Sequence, residues 1–260
     1  MESAAQVIDH SILLIERGDF HLAVKQLTTA YENYPENDEI LVLFTEALSE
    51  MGRTKQALDL LLKRSMAENV SDDVLFALGD EYFSVNDFGQ AQSYYKQLLL
   101  HVDAAAEAWV RIGLISVAEG ENDEAKSCFL KSLDLDDDTL SAINSLGDLA
   151  LEADDLNEAK SWFHRALKVD GEDPEAASNL AEVYYDEGDL EQAKSFAQQA
   201  IQFDPCFAPA WLTLGYVAFD CDDEDQVRHC FKKFLELEHS EVAADIVVEV
   251  KAVLTALKDS

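Results

Sequence analysis

The chain has 260 residues, of which 48% are hydrophobic, and it carries 53 acidic and 19 basic residues for a net charge of −34. The apolar fraction is sufficient for a folded core, whereas a surface this acidic repels phosphate backbones and anionic lipids, which argues against nucleic-acid binding. No apolar run reaches the length of a membrane span, the N-terminus lacks the positive charge of a signal peptide, and the 4 cysteines form no disulfide framework in a chain of this length. We therefore expect a cytoplasmic protein with reduced thiols and no membrane insertion.

One short sequence recurs along the chain. Gly18–Pro35 and Gly188–Pro205 share a Gly-Asp pair, alanines five and twelve residues after the glycine, and a proline seventeen residues after it. The two glycines are 170 residues apart, five times 34, which indicates a repeat of 34 residues. In this register seven copies follow one another without insertion, at 4–37, 38–71, 72–105, 106–139, 140–173, 174–207 and 208–241.

Each copy has the periodicity of two helices. In the fourth copy, Trp109, Ile112 and Ser116 lie on one stripe of a first helix, and Ala125 and Phe129 lie on the stripe of a second. Position 15, between them, always holds glycine, asparagine or aspartate, which tolerate the left-handed backbone of a tight turn. Position 20 holds a small residue, which implies that two helices approach closely there. Each copy is therefore predicted to be a helix–turn–helix hairpin that buries its flanks against its neighbours.

Residues 242–260 leave the repeat pattern but keep a helical period. Their apolar residues fall on one face, which comprises Ala243, Ile246, Val247, Val250, Val253, Leu254 and Leu257. Because a repeat array exposes its last apolar flank, we expect a C-terminal capping helix with a polar outer face. The alternative is a helix that docks on another protein or on a second copy of this chain.

The repeated pattern resembles the tetratricopeptide repeat (TPR) family, whose motif reads Trp-x2-Leu-Gly-x2-Tyr followed by Ala-x3-Phe, Ala and Pro. The resemblance covers residues 4–241 and is weakest in the second copy, where Thr45, Arg64 and Asn69 replace a small residue, an alanine and the proline. It implies an all-α fold: a right-handed α-solenoid of seven 34-residue TPR helix hairpins with a C-terminal capping helix, hence about fifteen helices and no strands. The carboxylate clamp of chaperone-binding TPR domains is absent, because only Arg111 is basic at the matching positions.

Motifs that could support catalysis or metal binding are incomplete. Asp134, Asp136 and Asp138 begin like a calcium-binding loop, but Thr139 stands where glycine is needed and Ser145 where the bidentate glutamate belongs. The cysteines and histidine of "DCDDEDQVRHC" lack a CxxC pair and occupy ordinary repeat positions. No phosphate-binding loop, nucleophile elbow or HExxH sequence occurs. We therefore expect no enzyme activity, no cofactor and no metal site.

Acidic residues are concentrated on one face of the first helices. In TPR proteins, which this chain resembles, positions 2, 5, 9, 12 and 13 line a concave groove. Positions 2, 9 and 13 hold thirteen carboxylates and no lysine or arginine: Glu39, Asp73, Glu107, Glu175, Glu46, Asp80, Asp148, Glu182, Glu16, Glu50, Glu152, Asp186 and Asp220. A solvated acidic face is one explanation. Against it, lysines are not interspersed as they are on a surface that serves solubility alone.

The same face also carries large apolar side chains. We predict a partner-binding groove whose solvent-facing centre is Glu46, Asp80, Asp148 and Glu182, flanked by Glu50, Glu152, Asp186, Phe83, Tyr185, Tyr216 and Phe219. A basic, partly apolar protein or peptide segment suits this arrangement, so the predicted function is that of a non-enzymatic interaction scaffold or adaptor. Two alternatives are a structural homo-oligomer that self-assembles through Ile8, Ile12 and Ile15 and the terminal helix, and a nucleic-acid mimic that inhibits a basic protein.

Overall fold

The computed structural model describes residues 3–240 and 243–257, and within them it contains fifteen α-helices and no strand. The first of two compact units, residues 1–137, contains α1 (Ala4–Glu16), α2 (Phe20–Asn33), α3 (Asp38–Glu50), α4 (Thr54–Ser65), α5 (Asp72–Ser84), α6 (Phe88–Leu98), α7 (Ala105–Ala118) and α8 (Asn122–Leu135). The second, residues 138–260, contains α9 (Leu140–Glu152), α10 (Leu156–Val169), α11 (Pro174–Asp186), α12 (Leu190–Phe203), α13 (Ala208–Asp220), α14 (Glu224–Leu237) and α15 (Ala244–Ala256). The predicted all-helical fold is confirmed. Residues 241, 242 and 258–260 of the predicted seventh repeat and cap lie outside the described residues.

Every hairpin turns at a residue with left-handed backbone. The φ angle is 72° at Gly18 and Gly52, 60° at Asn86, 78° at Gly120, 59° at Asp154, 77° at Gly188 and 56° at Asp222. Glycine adopts this conformation without steric penalty, and asparagine and aspartate tolerate it better than other residues do. The turn geometry predicted for position 15 is therefore present in all seven hairpins.

The two helices of a hairpin meet where a small residue of the first faces a large residue of the second. A Cβ atom added to Gly147 would lie 2.3 Å from the Phe163 ring, so only glycine leaves room for it. The same obstruction exists at Gly79, Gly113 and Gly215, which face Tyr95, Phe129 and Phe231. In the sixth copy both positions are alanine, and Ala181 and Ala197 are fully buried. In the four hairpins with glycine, the ring of the second helix thus fills the volume that the glycine leaves, as close packing requires.

The second hairpin compensates for its departures from the motif with an ion pair. Arg64 Nε lies 2.5 Å from Asp38 Oδ1, and Asp38 Oδ2 accepts a hydrogen bond from the backbone amide of Ser71 at 3.0 Å. Arg64 also donates to the backbone carbonyl of Asn69, whose φ is 60°. These contacts tie α4 to the start of α3 and to the loop before α5, so the 34-residue register is kept without the usual alanine and proline.

The last helix, α15, covers the flank of the final hairpin. Val250 is fully buried in a cluster that includes Ala218 of α13 and Phe231 and Phe234 of α14. Arg228 of α14 donates to the backbone carbonyl of Leu257 at the end of α15. Helix α15 therefore caps the array on one side of the last hairpin.

Candidate functional site

We call the side of the first helices that bears positions 2, 9 and 13 the acidic face. In the first unit, Glu46 and Glu50 lie exposed on α3, and partial desolvation, together with the charge of Glu50, raises the pKa of Glu46. Glu81 of α5 is buried and accepts a hydrogen bond from Ser49. Burial raises the pKa of Glu81, and the charges of Asp80 and Glu50 add to this effect while Ser49 opposes it. Helices α3 and α5 therefore hold mutually repelling carboxylates close together.

The residues at repeat position 9 that form the predicted centre of the groove, which we call the central row, were expected to face solvent. Asp80 does not do so freely. The Tyr95 hydroxyl donates to Asp80 Oδ1 at 2.6 Å, and Arg111 Nε lies 3.6 Å from the same oxygen. Arg111 also pairs with Glu107 at 3.2 Å. The physical reason is that position 24 is tyrosine in this copy, and its ring passes over Gly79 so that the hydroxyl reaches the adjacent carboxylate. Asp80 is therefore half-buried and bonded.

A cavity of about 260 Å³ lies beside Asp80 between α1, α3 and α5. Glu39, Asp73 and Asp80 line it together with the apolar side chains of Ile12 and Phe76. The predicted anchor Phe83 lies on the same helix, where its ring centroid is 5.4 Å from that of Phe88. The walls of the cavity combine negative charge with apolar surface, which suits one cationic and one apolar side chain of a partner.

In the second unit the carboxylates are more crowded. Asp148 of α9 is half-buried and accepts a hydrogen bond from Asn179 Nδ2 at 2.8 Å. Burial raises its pKa to about 7, and the charges of Glu175, Glu152 and Glu182 contribute to the rise. Asp148 has no salt bridge within the described residues. The chain itself therefore leaves the charge of this aspartate uncompensated.

Two glutamates of α11 face the same region. Desolvation raises the pKa of both Glu175 and Glu182, and nearby Asp173 and Asp186 increase the respective effects. Buried Asn144 donates to Asp173 at 2.9 Å and to Glu175 at 3.3 Å, which partly offsets the repulsion at Glu175. Glu182 remains accessible and makes no salt bridge in the part of the chain that the structure describes. It is therefore available to a cation from outside.

Aromatic residues lie further along the acidic face of the second unit. The ring centroids of Tyr185 and Tyr216 are 6.2 Å apart. Burial and a hydrogen bond to Asp220 raise the pKa of Tyr185 to about 12. Burial and the charge of Glu249, to which the Tyr216 hydroxyl donates at 3.2 Å, raise the pKa of Tyr216 to about 12. Phe219 is 50% exposed, so this end offers apolar surface beside carboxylates.

The predicted site residues fall into two sets, one in each unit. Glu46, Glu50, Asp80 and Phe83 lie in the first unit, and Asp148, Glu152, Glu182, Asp186, Tyr185, Tyr216 and Phe219 lie in the second. Their role in binding stays a prediction.

Position 6 of the first helix has a role that the repeat pattern alone did not predict. Arg111 and Asn179 both occupy it, and they contact Asp80 and Asp148, the position 9 residues of the preceding copies. The signal available in the sequence was a polar residue 31 positions after an aspartate. The side chain at position 6 therefore helps to hold Asp80 and Asp148 in place.

Of the three isoleucines proposed for self-assembly, Ile12 is exposed, Ile15 is partly buried and Ile8 is buried, and self-assembly stays a prediction. Ile8 is buried inside the first hairpin, because it packs with Leu14 and Leu27 in the core. Leu13 and Leu22 of the same hairpin are exposed as well, and Leu22 lines a cavity of about 560 Å³.

Other chemistry-bearing groups do not assemble into a site. Cys128 and Cys230 are buried, and burial raises the pKa of both thiols. Over the described residues, no group of histidine, cysteine and carboxylate side chains is arranged to hold a metal ion. None of the helices in the described ranges is long and apolar enough to cross a membrane.

Helical hairpins of equal length, packed in succession within each unit, define an α-helical repeat protein. A model of the middle TPR-like domain of cilia and flagella-associated protein 70 matches residues 75–204, and a tetratricopeptide repeat model matches residues 14–75. The chain belongs to the tetratricopeptide repeat family. Proteins of this family generally act as protein-interaction scaffolds, and their fold is typically non-enzymatic.

Solved structures of low sequence identity share the fold. A tetratricopeptide repeat protein from Parabacteroides merdae is 17% identical with a TM-score of 0.65, and the match covers 98% of each chain. A chain of the APC/C hetero-tetramer Cut9–Hcn1 is 18% identical with a TM-score of 0.68, and the match covers 92% of this chain and 46% of that one. Pseudomonas aeruginosa pilF is 18% identical with a TM-score of 0.56, over 78% of this chain and 92% of pilF. No curated protein matches the sequence.

Proposed function

We propose that this chain is a non-enzymatic interaction scaffold whose acidic face binds a basic, partly apolar segment of a partner protein. The observation that carries the proposal is the crowding of carboxylates around Asp148. A lysine or arginine side chain placed between Asp148, Glu175 and Glu182 relieves their repulsion, so cation binding and ionisation of Asp148 favour each other.

The neighbouring aromatic residues support a partner that is also apolar. Phe219 offers an exposed ring, and Tyr185 and Tyr216 are held in place by hydrogen bonds to carboxylates. Rings fixed in this way provide contact area with little loss of side-chain entropy, and their faces attract cations. A segment in which basic and apolar residues alternate therefore satisfies both features of the face.

The net charge of −34 adds a long-range contribution. A field of this sign accelerates the encounter with a basic segment, and salt weakens the acceleration by screening. We therefore expect fast association that slows as the salt concentration rises.

The probe for this proposal is a synthetic 20-residue peptide in which lysine and arginine alternate with leucine and tryptophan. A peptide of the same pattern with glutamine replacing the basic residues is its uncharged control. Binding to the full chain is measured by calorimetric titration at low and at moderate sodium chloride. We expect saturable binding of the basic peptide that weakens with salt, and no binding of the glutamine peptide.

Two variants of equal charge separate a site from a general attraction. The site variant carries Asp148→Asn, Glu175→Gln and Glu182→Gln, the three carboxylates between which the cation is placed. The control variant carries Glu32→Gln, Asp134→Asn and Glu191→Gln, three exposed positions on second helices. We expect at least tenfold weaker binding in the site variant and less than a twofold change in the control. Equal losses would contradict the proposal and would favour a nucleic-acid mimic that acts through its overall field.

A further inference from the structure

Helix α15 occupies the place of the first helix of an eighth hairpin. Glu249, the sixth residue of α15, accepts a hydrogen bond from the hydroxyl of Tyr216, the ninth residue of α13. In the same way, the sixth residue of α11 contacts the ninth residue of α9. Arg228 of α14 donates a hydrogen bond to the backbone carbonyl of Leu257, the C-cap residue of α15. In the same way Lys160 of α10 lies 2.5 Å from Glu187, the residue that ends α11. Both contacts indicate that α15 packs in the register of the first helix of a hairpin.

The position of a second helix relative to such a first helix is seen in the sixth hairpin. Tyr184, the eleventh residue of α11, stacks on Phe196 of α12 with ring centroids 5.4 Å apart. His164 of α10 contacts the same ring at 5.9 Å. The second helix of a hairpin therefore lies against the eleventh residue of its own first helix and against the second helix of the preceding hairpin.

Beside α15, the space that corresponds to the second helix of an eighth hairpin is a cleft. Its volume is about 640 Å³, and it is lined by Arg228, Lys232, Leu235, Lys251, Leu254 and Thr255. Leu254 is the eleventh residue of α15, and Arg228 and Lys232 correspond to Lys160 and His164 of α10. The residues that a second helix would cover are thus those that line the cleft, which we call the α14–α15 cleft. No further helix follows α15 within the described residues.

The charge of the cleft is opposite to that of the chain. Lys251, the eighth residue of α15, stands where the seven hairpins have glycine, alanine, serine or threonine. Lys232 and Lys251 form no salt bridge within the described ranges, whereas Arg228 pairs with Glu224 at 2.7 Å. Lysine at this position leaves no room for the aromatic side chain that faces the eighth residue in several hairpins, and a helix packed over it would bury the ammonium group, which is unfavourable without a counter-charge. An acidic side chain at that point compensates it.

We propose that the α14–α15 cleft docks one acidic, amphipathic helix of a partner protein, which completes an eighth hairpin. Its apolar stripe lies on Leu235 and Leu254, and its carboxylates face Lys232 and Lys251. The second helices of this chain have 11 to 14 residues, which sets the expected length of the docked helix. A second copy of the chain is a poor occupant, because two molecules of net charge −34 repel each other. This site is separate from the acidic face. The cleft binds an acidic segment, whereas the acidic face binds a basic one.

The test uses a fluorescein-labelled, 14-residue, alanine-based helical peptide. The peptide represents the second helix of a repeat. Leucines stand at the residues that correspond to repeat positions 20 and 27, and glutamates stand at position 24 and at the residues on either side of it. The cleft variant of the full chain carries Lys232→Glu and Lys251→Glu. The control variant carries Lys168→Glu and Lys194→Glu, two exposed lysines of second helices with the same change in net charge. Circular dichroism establishes that both variants keep the helical content of the parent.

Fluorescence anisotropy at 0.05 M sodium chloride should show saturable binding to the parent and to the control variant, with affinities within a factor of two. The cleft variant should bind at least tenfold more weakly. Absence of saturable binding at about 1 mM parent, or equal weakening by both variants, would overturn the proposal. Sedimentation of the chain alone is measured in parallel. A mass that doubles with concentration in the parent and not in the cleft variant would assign the cleft to a second copy and contradict a partner helix.

Discussion

Replacement of Asp148 by asparagine should stabilise the protein at pH 8, although it removes a residue of the candidate site. The asparagine has nearly the same shape, and its carbonyl oxygen can accept the hydrogen bond that Asn179 donates to Asp148 at 2.8 Å. What the substitution removes is a charge that burial and three glutamates disfavour, as shown by the rise in pKa from 3.8 to about 7.

The size of the effect follows from this pKa. A shift of about 3 units corresponds to about 4 kcal/mol at 1.36 kcal/mol per unit, and screening by solvent in the groove reduces the expected gain to about 1–2 kcal/mol. Because the pKa is raised in the folded state, the parent loses stability as pH rises from about 4 to 7 and stays level above that. The advantage of Asp148→Asn should therefore be full at pH 8, shrink as pH falls below 7 and vanish below about pH 4.

The assay is thermal unfolding of the parent and the variant, followed by circular dichroism from pH 4 to pH 8. A gain of 1–2 kcal/mol corresponds to a melting temperature about 2–8 °C higher in a chain of this size. Glu191→Gln, which removes an exposed charge from α12, serves as the control and should show no comparable pH-dependent gain. Equal stability of Asp148→Asn and the parent at pH 8, or a gain that does not change with pH, would refute the electrostatic reasoning.

Three further predictions follow from packing, net charge and the cap. Gly147→Ala should destabilise the chain by about 1–3 kcal/mol in chemical denaturation, because its methyl group would enter the Phe163 ring, and Phe163→Ala in the same chain should make the added methyl group tolerable. The melting temperature of the parent should rise between 0.01 and about 0.1 M sodium chloride, where the screening length falls to about 10 Å; a flat or falling midpoint would show that the acids are already compensated. Tyr216→Phe removes the hydroxyl that donates to Glu249 and should speed amide hydrogen exchange in α15 while exchange in α9 stays unchanged.

The periodic features of the sequence predicted the fold well, because they reflect local sterics. The left-handed turn at position 15 and the fully buried small residue at position 20 follow from residue type alone. The pairing of Gly147 with Phe163 was also readable, since glycine recurs at position 8 together with an aromatic residue at position 24.

The environment of individual acids was not predictable from the same pattern. Asp80 and Asp148 occupy the same repeat position, yet one is bonded to Tyr95 and paired with Arg111, whereas the other is crowded by glutamates. The difference arises from single side chains: Tyr95 at position 24 of the same copy bonds Asp80, and position 6 of the next copy differs, since it is Arg111 beside Asp80 and Asn179 beside Asp148. The repeat pattern treats all residues at one repeat position as equivalent. It therefore predicts that positions 2, 9 and 13 are acidic, but not which of these carboxylates form hydrogen bonds or ion pairs.

On the proposed function, a basic segment of the partner places its cations among the carboxylates around Asp148. Isothermal titration with the basic probe peptide at pH 7, in two buffers of different ionisation enthalpy, measures the protons released on binding. Because the pKa of Asp148 is about 7, roughly half of the molecules carry this proton before binding, and a bound cation expels it. We predict a release of about half a proton per peptide in the parent and almost none in Asp148→Asn. Binding heats that do not depend on the buffer in the parent would contradict the account.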